Sequence, residues 1–95
     1  MLGKKVIIRT YSAGAHYGTL KSKDGATVVL ENAIRIWYWD GAFTLSALAM
    51  EGTSRPENCK FSMPVNEIEL DRIEIIPCTE KAIASIEGVK AHDPK

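Results

Sequence analysis

The sequence predicts an α+β fold that is mainly β: a small, strongly bent antiparallel sheet or barrel of about five strands, with two short helices. Three observations predict it. β-branched runs alternate with turn residues along most of the chain, Asp24-Gly25 is a strong hairpin signal, and only two stretches combine a threonine cap, helical apolar spacing and a closing glycine.

The first strand is "KKVIIRTY", Lys4 to Tyr11, a β-branched run. "SAGA" turns the chain, and "HYGTLKS" from His16 forms the second strand. After the Asp24-Gly25 hairpin, the third strand runs from Thr27 to Trp39, and its alternation is informative. Val28, Leu30, Ile34, Ile36 and Tyr38 share one face, interrupted by Asn32, and this even face is the expected core. Thr27, Val29, Glu31, Ala33, Arg35, Trp37 and Trp39 share the other face, away from that core.

Past Asp40-Gly41 the period changes. "TLSALAMEG" predicts a short helix with Thr44 as N-cap, Leu45 and Leu48 as its apolar pair, and Gly52 as its stop. "TSRPEN" is loop. "CKFSMPV" and "IELDRIEIIP" return to strand, with Pro64 marking an edge or bulge and Pro77 the end. "TEKAIASIEG" predicts the last helix, capped by Thr79 and closed by Gly88, with Ala82, Ile83 and Ile86 inward. Residues 1–88 thus read as one β-rich domain and 89–95 as a flexible tail.

The composition is that of an ordinary globular chain, 45% hydrophobic and 25% charged. Twelve basic residues balance twelve acidic ones, which argues against gripping duplex nucleic acid through many phosphates. It leaves room for a small anionic ligand held by a local arginine. Two lysines followed by three apolar residues do not make a signal peptide, and no run approaches the roughly 18 apolar residues of a membrane span. Cys59 and Cys78 read as free thiols of a reducing compartment, and with two scattered histidines they form no zinc spacing. Neither a metal nor a cofactor is expected.

No catalytic constellation emerges. A nucleophile needs a base in reach, and the histidines are His16, read as an exposed turn residue, and His92, in the tail. Glu67, Glu69, Asp71 and Glu74 read as a solvated strand face, and "YSAGAHYG" lacks the spacing of a phosphate loop. The chain is therefore read as non-enzymatic, with no catalytic residues.

The informative stretch is "AIRIWYWDGAF", which holds both tryptophans next to Arg35. Two readings apply. Trp37 and Trp39 pack under the "TLSALAM" helix or in a subunit contact, or they form a pocket with Arg35 as anion partner. Aromatic rings stack on nucleobases and a guanidinium binds phosphate through two parallel hydrogen bonds. Arg9 and Tyr11, alternating with Val6, Ile8 and Thr10, extend the same surface, and His16 stands beside it. The candidate ligand-binding residues are thus Arg9, Tyr11, His16, Arg35, Trp37 and Trp39. A pocket formed between subunits reconciles the readings. Two tryptophans opposite the core of so short a chain also predict a homo-oligomer.

The pieces "RIWYWDGAFTLSALAMEG", "CKFSMPV" and "IEIIPCTEKAIASI", with "VIIRTYSAGAHYGTL" more loosely, resemble a family of small proteins encoded by tailed phages and prophages. The resemblance implies an accessory protein acting in the cytoplasm of the infected bacterial host, and it brings no catalytic residues. Size, that context and the aromatic–arginine face together suggest a homo-oligomer that binds a nucleotide-like ligand, such as a cyclic nucleotide signal of anti-phage defence. The alternative is an interaction or structural module that binds a host or phage protein through the aromatic patch. The strand order is also similar in architecture to Sm-like barrels, which suggests a third, RNA-binding reading that the zero net charge disfavours.

Overall fold

The structure, a computed structural model, describes residues 1–91. It is α+β and mainly β, with five antiparallel strands in one sheet. The strands are β1 (Lys5–Thr10), β2 (Ala15–Asp24), β3 (Thr27–Tyr38), β4 (Lys60–Phe61) and β5 (Val65–Pro77). The helices are α1 (Leu45–Glu51) and α2 (Glu80–Glu87), and a short 3-10 turn covers Pro56–Asn58. β1 pairs with β2 and β5, and β3 also pairs with β2 and β5, so four strands close into a ring with β4 attached to β3.

Local chemistry sets the ends of these elements. Gly25 takes a positive φ of 61° in the β2–β3 hairpin, where an L side chain is disfavoured. Thr44 and Thr79 cap α1 and α2 by accepting from the backbone N–H of Ala47 and Ala82. The Thr79 hydroxyl also donates to the Met50 carbonyl at 2.6 Å, tying the two helices together. Pro77 closes β5, and Pro64 lies in the break between β4 and β5.

The sheet has two apolar faces. Val6, Ile8, Leu20, Val28, Leu30, Ala33 and Leu70 come from all four ring strands and fill its interior. Ile7, Tyr17, Ile36 and Phe61 lie on the outer face, where Leu48, Ala49, Ala82 and Ile86 of the helices cover them. Of the segment read as a tail, Val89 packs against this outer cluster and Ala91 bridges to Phe61. His92 and the rest of that segment lie outside the described residues.

Two bulges interrupt the β2–β3 ladder. Tyr17 faces Ile34 and Thr19 faces Glu31, so three steps of β3 meet two of β2, and Asn32 sits within the extra step with φ 49°. Asparagine tolerates this left-handed conformation better than other non-glycine residues. Between Leu20 and Ser22 the excess lies on β2 instead. The strands touch closely beside the first bulge: a Cβ at Gly18 would stand 2.9 Å from the Glu31 carbonyl.

The Asn32 bulge corrects the expected alternation of β3. Val28 and Leu30 point into the ring as expected, but Ala33 takes the next interior place and Ile34 and Ile36 turn outward beneath the helices. Tyr38, expected in the core, is exposed. Arg35 therefore follows Ala33 on the ring-interior side, where β3 leaves the closed part of the sheet.

Candidate functional site

The interior opens at one end of the ring into a cavity of about 260 Å³. His16, Arg35 and Trp37 form its polar and aromatic wall, and Ala33, Val65 and Ile68 its apolar floor. Cross-strand pairing explains the first group: His16 of β2 faces Arg35 of β3, with Trp37 two residues further along. Pairing of β3 with β5 supplies the floor, since Ala33 faces Val65.

His16 is 1% exposed, which corrects its reading as an exposed turn residue. The reason is its place inside β2 rather than at the turn, with its side chain on the ring-interior face. Its Nε2 accepts from Arg35 Nε at 3.3 Å. Burial, and then the Arg35 charge, lower the imidazole pKa from 6.5 to about 4, so the ring is neutral at pH 7. With Nε2 accepting, the imidazole proton resides on Nδ1, which has no hydrogen-bond partner among the described residues.

Arg35 has no carboxylate within ion-pair distance among the described residues. Its Nε is committed to His16, which holds the guanidinium plane and leaves the terminal nitrogens as donors. Trp37 is 47% exposed at the same mouth. Ser62 also lines the cavity, but its hydroxyl is engaged, accepting from Arg35 N at 2.8 Å and donating to the Met63 carbonyl at 3.1 Å.

The remaining sequence candidates lie elsewhere. Trp39 packs against the outer cluster, and its Nε1 donates to the Ala42 carbonyl at 3.1 Å. This is the helix-packing form of the first reading, and it holds for Trp39, whereas Trp37 stands half-exposed at the mouth. Arg9 is exposed and pairs with Glu74 of β5 at 2.8 Å, and Tyr11 is 92% exposed in the β1–β2 turn. The expected continuous surface is therefore divided. The bulge and the closed ring bring His16, Arg35 and Trp37 together and leave Arg9, Tyr11 and Trp39 out. Ala33, Val65 and Ile68 were not legible as site residues, because only the β3–β5 register brings them to the mouth.

A second cavity, about 290 Å³, lies between the outer face and α2. Lys5, Tyr17 and Glu87 edge it, and Phe61, Ile86 and Val89 contribute apolar wall. Its polar groups satisfy one another. The Tyr17 hydroxyl donates to Glu87 Oε2 at 2.7 Å and Lys5 Nζ approaches the same oxygen at 2.9 Å. Burial and then the bond to Glu87 raise the Tyr17 pKa, while the bonds from Tyr17 and Lys5 hold the Glu87 carboxyl below its usual range. Among the described residues that line it, Lys5 and Glu87 thus compensate each other's charge.

Among the described residues, no group of three or more His, Cys, Asp or Glu side chains is placed to hold a metal, and no helix is long and apolar enough to cross a membrane. Residues 3–86 match the family described as Domain of unknown function (DUF6948), and the chain belongs to that family. No curated protein and no solved structure matches it significantly.

Proposed function

We propose that this member of the DUF6948 family is a non-enzymatic, homo-oligomeric binding protein that takes a nucleotide-like anionic ligand at the ring mouth. The observation that carries this reading is the Arg35 guanidinium, uncompensated by any described carboxylate and held by a neutral histidine beside the half-exposed Trp37. The guanidinium offers a fork of donors to a phosphate, and the indole offers a stacking platform for a base, worth roughly 1–3 kcal/mol per base. A binding role rather than a catalytic one is supported by the state of the nucleophile and base that line the mouth among the described residues: both the Ser62 hydroxyl and His16 Nε2 are already engaged. In the phage setting that the sequence pieces suggest, the ligand is a cyclic nucleotide signal of bacterial defence, sequestered in the cytoplasm of the infected host.

Calorimetric titration against a panel of cyclic di- and trinucleotides tests this. Micromolar or tighter binding that is lost in both Arg35→Ala and Trp37→Ala supports the reading, whereas millimolar or absent binding of the whole panel and of the corresponding mononucleotides removes it.

A second reading is favoured by a different observation. Trp37, Tyr38, Met63 and Val65 all expose apolar surface near the β3–β4 end of the sheet, and such residues mark protein interfaces. A stoichiometric host or phage protein that co-purifies with the wild type and is lost on Trp37→Ala, without small-molecule binding, would favour an interaction module.

A further inference from the structure

The mouth cavity, about 260 Å³, is smaller than the roughly 300–1,000 Å³ of sites that enclose a whole drug-sized ligand. It accommodates one planar ring and one anionic group. A single guanidinium likewise neutralises a single phosphate. A ligand with two of each would protrude from one protomer.

The rim is suited to a second copy of this chain. Trp37, Met63 and Val65 expose apolar side chains there, and the net charge of zero places no overall repulsion between copies. A two-fold contact sets the same patch of each copy against itself. The two Arg35 guanidiniums then face one enclosed space, where they repel each other unless anionic groups sit between them. His16 adds a buried Nδ1–H donor without a described acceptor. The wall so formed is rich in donors and suits a ligand rich in acceptor oxygens.

We infer that the complete site consists of two copies of this chain, mouth to mouth, enclosing one two-fold-symmetric nucleotide with two phosphates. Each Arg35 takes one phosphate and each Trp37 stacks on one base. The inference rests on the reading of the mouth as a nucleotide site and adds its stoichiometry and its second wall.

Calorimetry and sedimentation velocity of the full chain with cyclic di-AMP, cyclic di-GMP, AMP and GMP test it. The expected result is one cyclic dinucleotide per two protomers, with the monomer–dimer equilibrium drawn to dimer. Affinity should exceed that of the mononucleotide roughly a hundredfold, because the second half binds as an intramolecular event. Mononucleotides should bind once per protomer and move the equilibrium far less, because they screen the facing guanidiniums without bridging the two copies. Arg35→Ala should abolish both effects, Arg35→Lys should weaken them by losing the fork, and Arg9→Ala should change neither. If mononucleotides bind but the cyclic dinucleotides bind once per protomer, leave the mass unchanged or do not bind, the two-copy site is overturned and the nucleotide reading stands. If none of the four binds, the nucleotide reading fails at the mouth and the two-copy site fails with it.

Discussion

The two tryptophans, two positions apart, sit in separate environments. Trp39 is wedged against the helix-covered cluster, so Trp39→Ala should cost about 2 kcal/mol of stability, below the full-burial range because the ring is only part-buried. It should leave ligand affinity in the surviving folded protein unchanged. Trp37→Ala should do the reverse, and paired urea melts and titrations of the two variants check the contrast. His16 gives a pH prediction. Its folded pKa of about 4 lies below the unfolded 6.5, so the unfolded chain binds a proton that the folded chain refuses. Folding stability therefore falls as pH drops from 6.5 towards 4, by roughly 3 kcal/mol at about 1.4 kcal/mol per unit. The Glu87 carboxyl, depressed by its partners, also loses stability in acid, so the comparison is with His16→Gln, which keeps that loss and removes the imidazole contribution. Parallel stability–pH curves for the two proteins would contradict the assignment.

Among the elements, β3 is decisive, because one bulge redirects everything after it. Asn32 holds φ 49° there. Asn32→Gly should be nearly neutral, whereas Asn32→Val should destabilise by about 1–2 kcal/mol, the cost of a left-handed backbone for a side chain branched at Cβ. Chemical denaturation separates these outcomes, and equal midpoints would show that the bulge is not strained. α2 depends on a different contact. Thr79→Ala removes both the N-cap acceptor and the hydroxyl that bonds to Met50 of α1, and should cost about 1–2 kcal/mol. Thr79→Ser should recover most of it, since the serine hydroxyl can make both bonds.

For the whole molecule, the prediction concerns association. Trp37, Met63 and Val65 leave apolar surface on one rim of a small ring, and monomers seldom keep such a patch uncovered. The protein should therefore self-associate with Trp37, not Trp39, at the boundary. Trp37→Ala should weaken the oligomer to dilution before it affects the thermal transition. A clean monomer for the wild type at micromolar concentration, by sedimentation, would contradict this.

The sequence by itself determined the features that depend on neighbours along the chain. The α+β class, the Gly25 hairpin, the Thr44 and Thr79 caps and the Pro77 stop follow from backbone preferences and side-chain hydrogen bonds reaching only a few residues. It also singled out Arg35 with both Trp37 and Trp39, because an arginine beside clustered aromatics is unusual wherever it points. Where those side chains point was decided elsewhere. The alternation of β3 continues unbroken on paper, yet the bulge opposite Gly18 shifts it, because β3 must pair with β2 and β5 at once to close the ring. That closure turned Arg35 and Trp37 into the mouth and buried His16 beside them. It also assigned Trp39 to the helix-covered face and left Arg9 to Glu74. Strand register reflects contacts between residues far apart in sequence, and the local pattern of one strand carries no information about which partner will impose an extra residue.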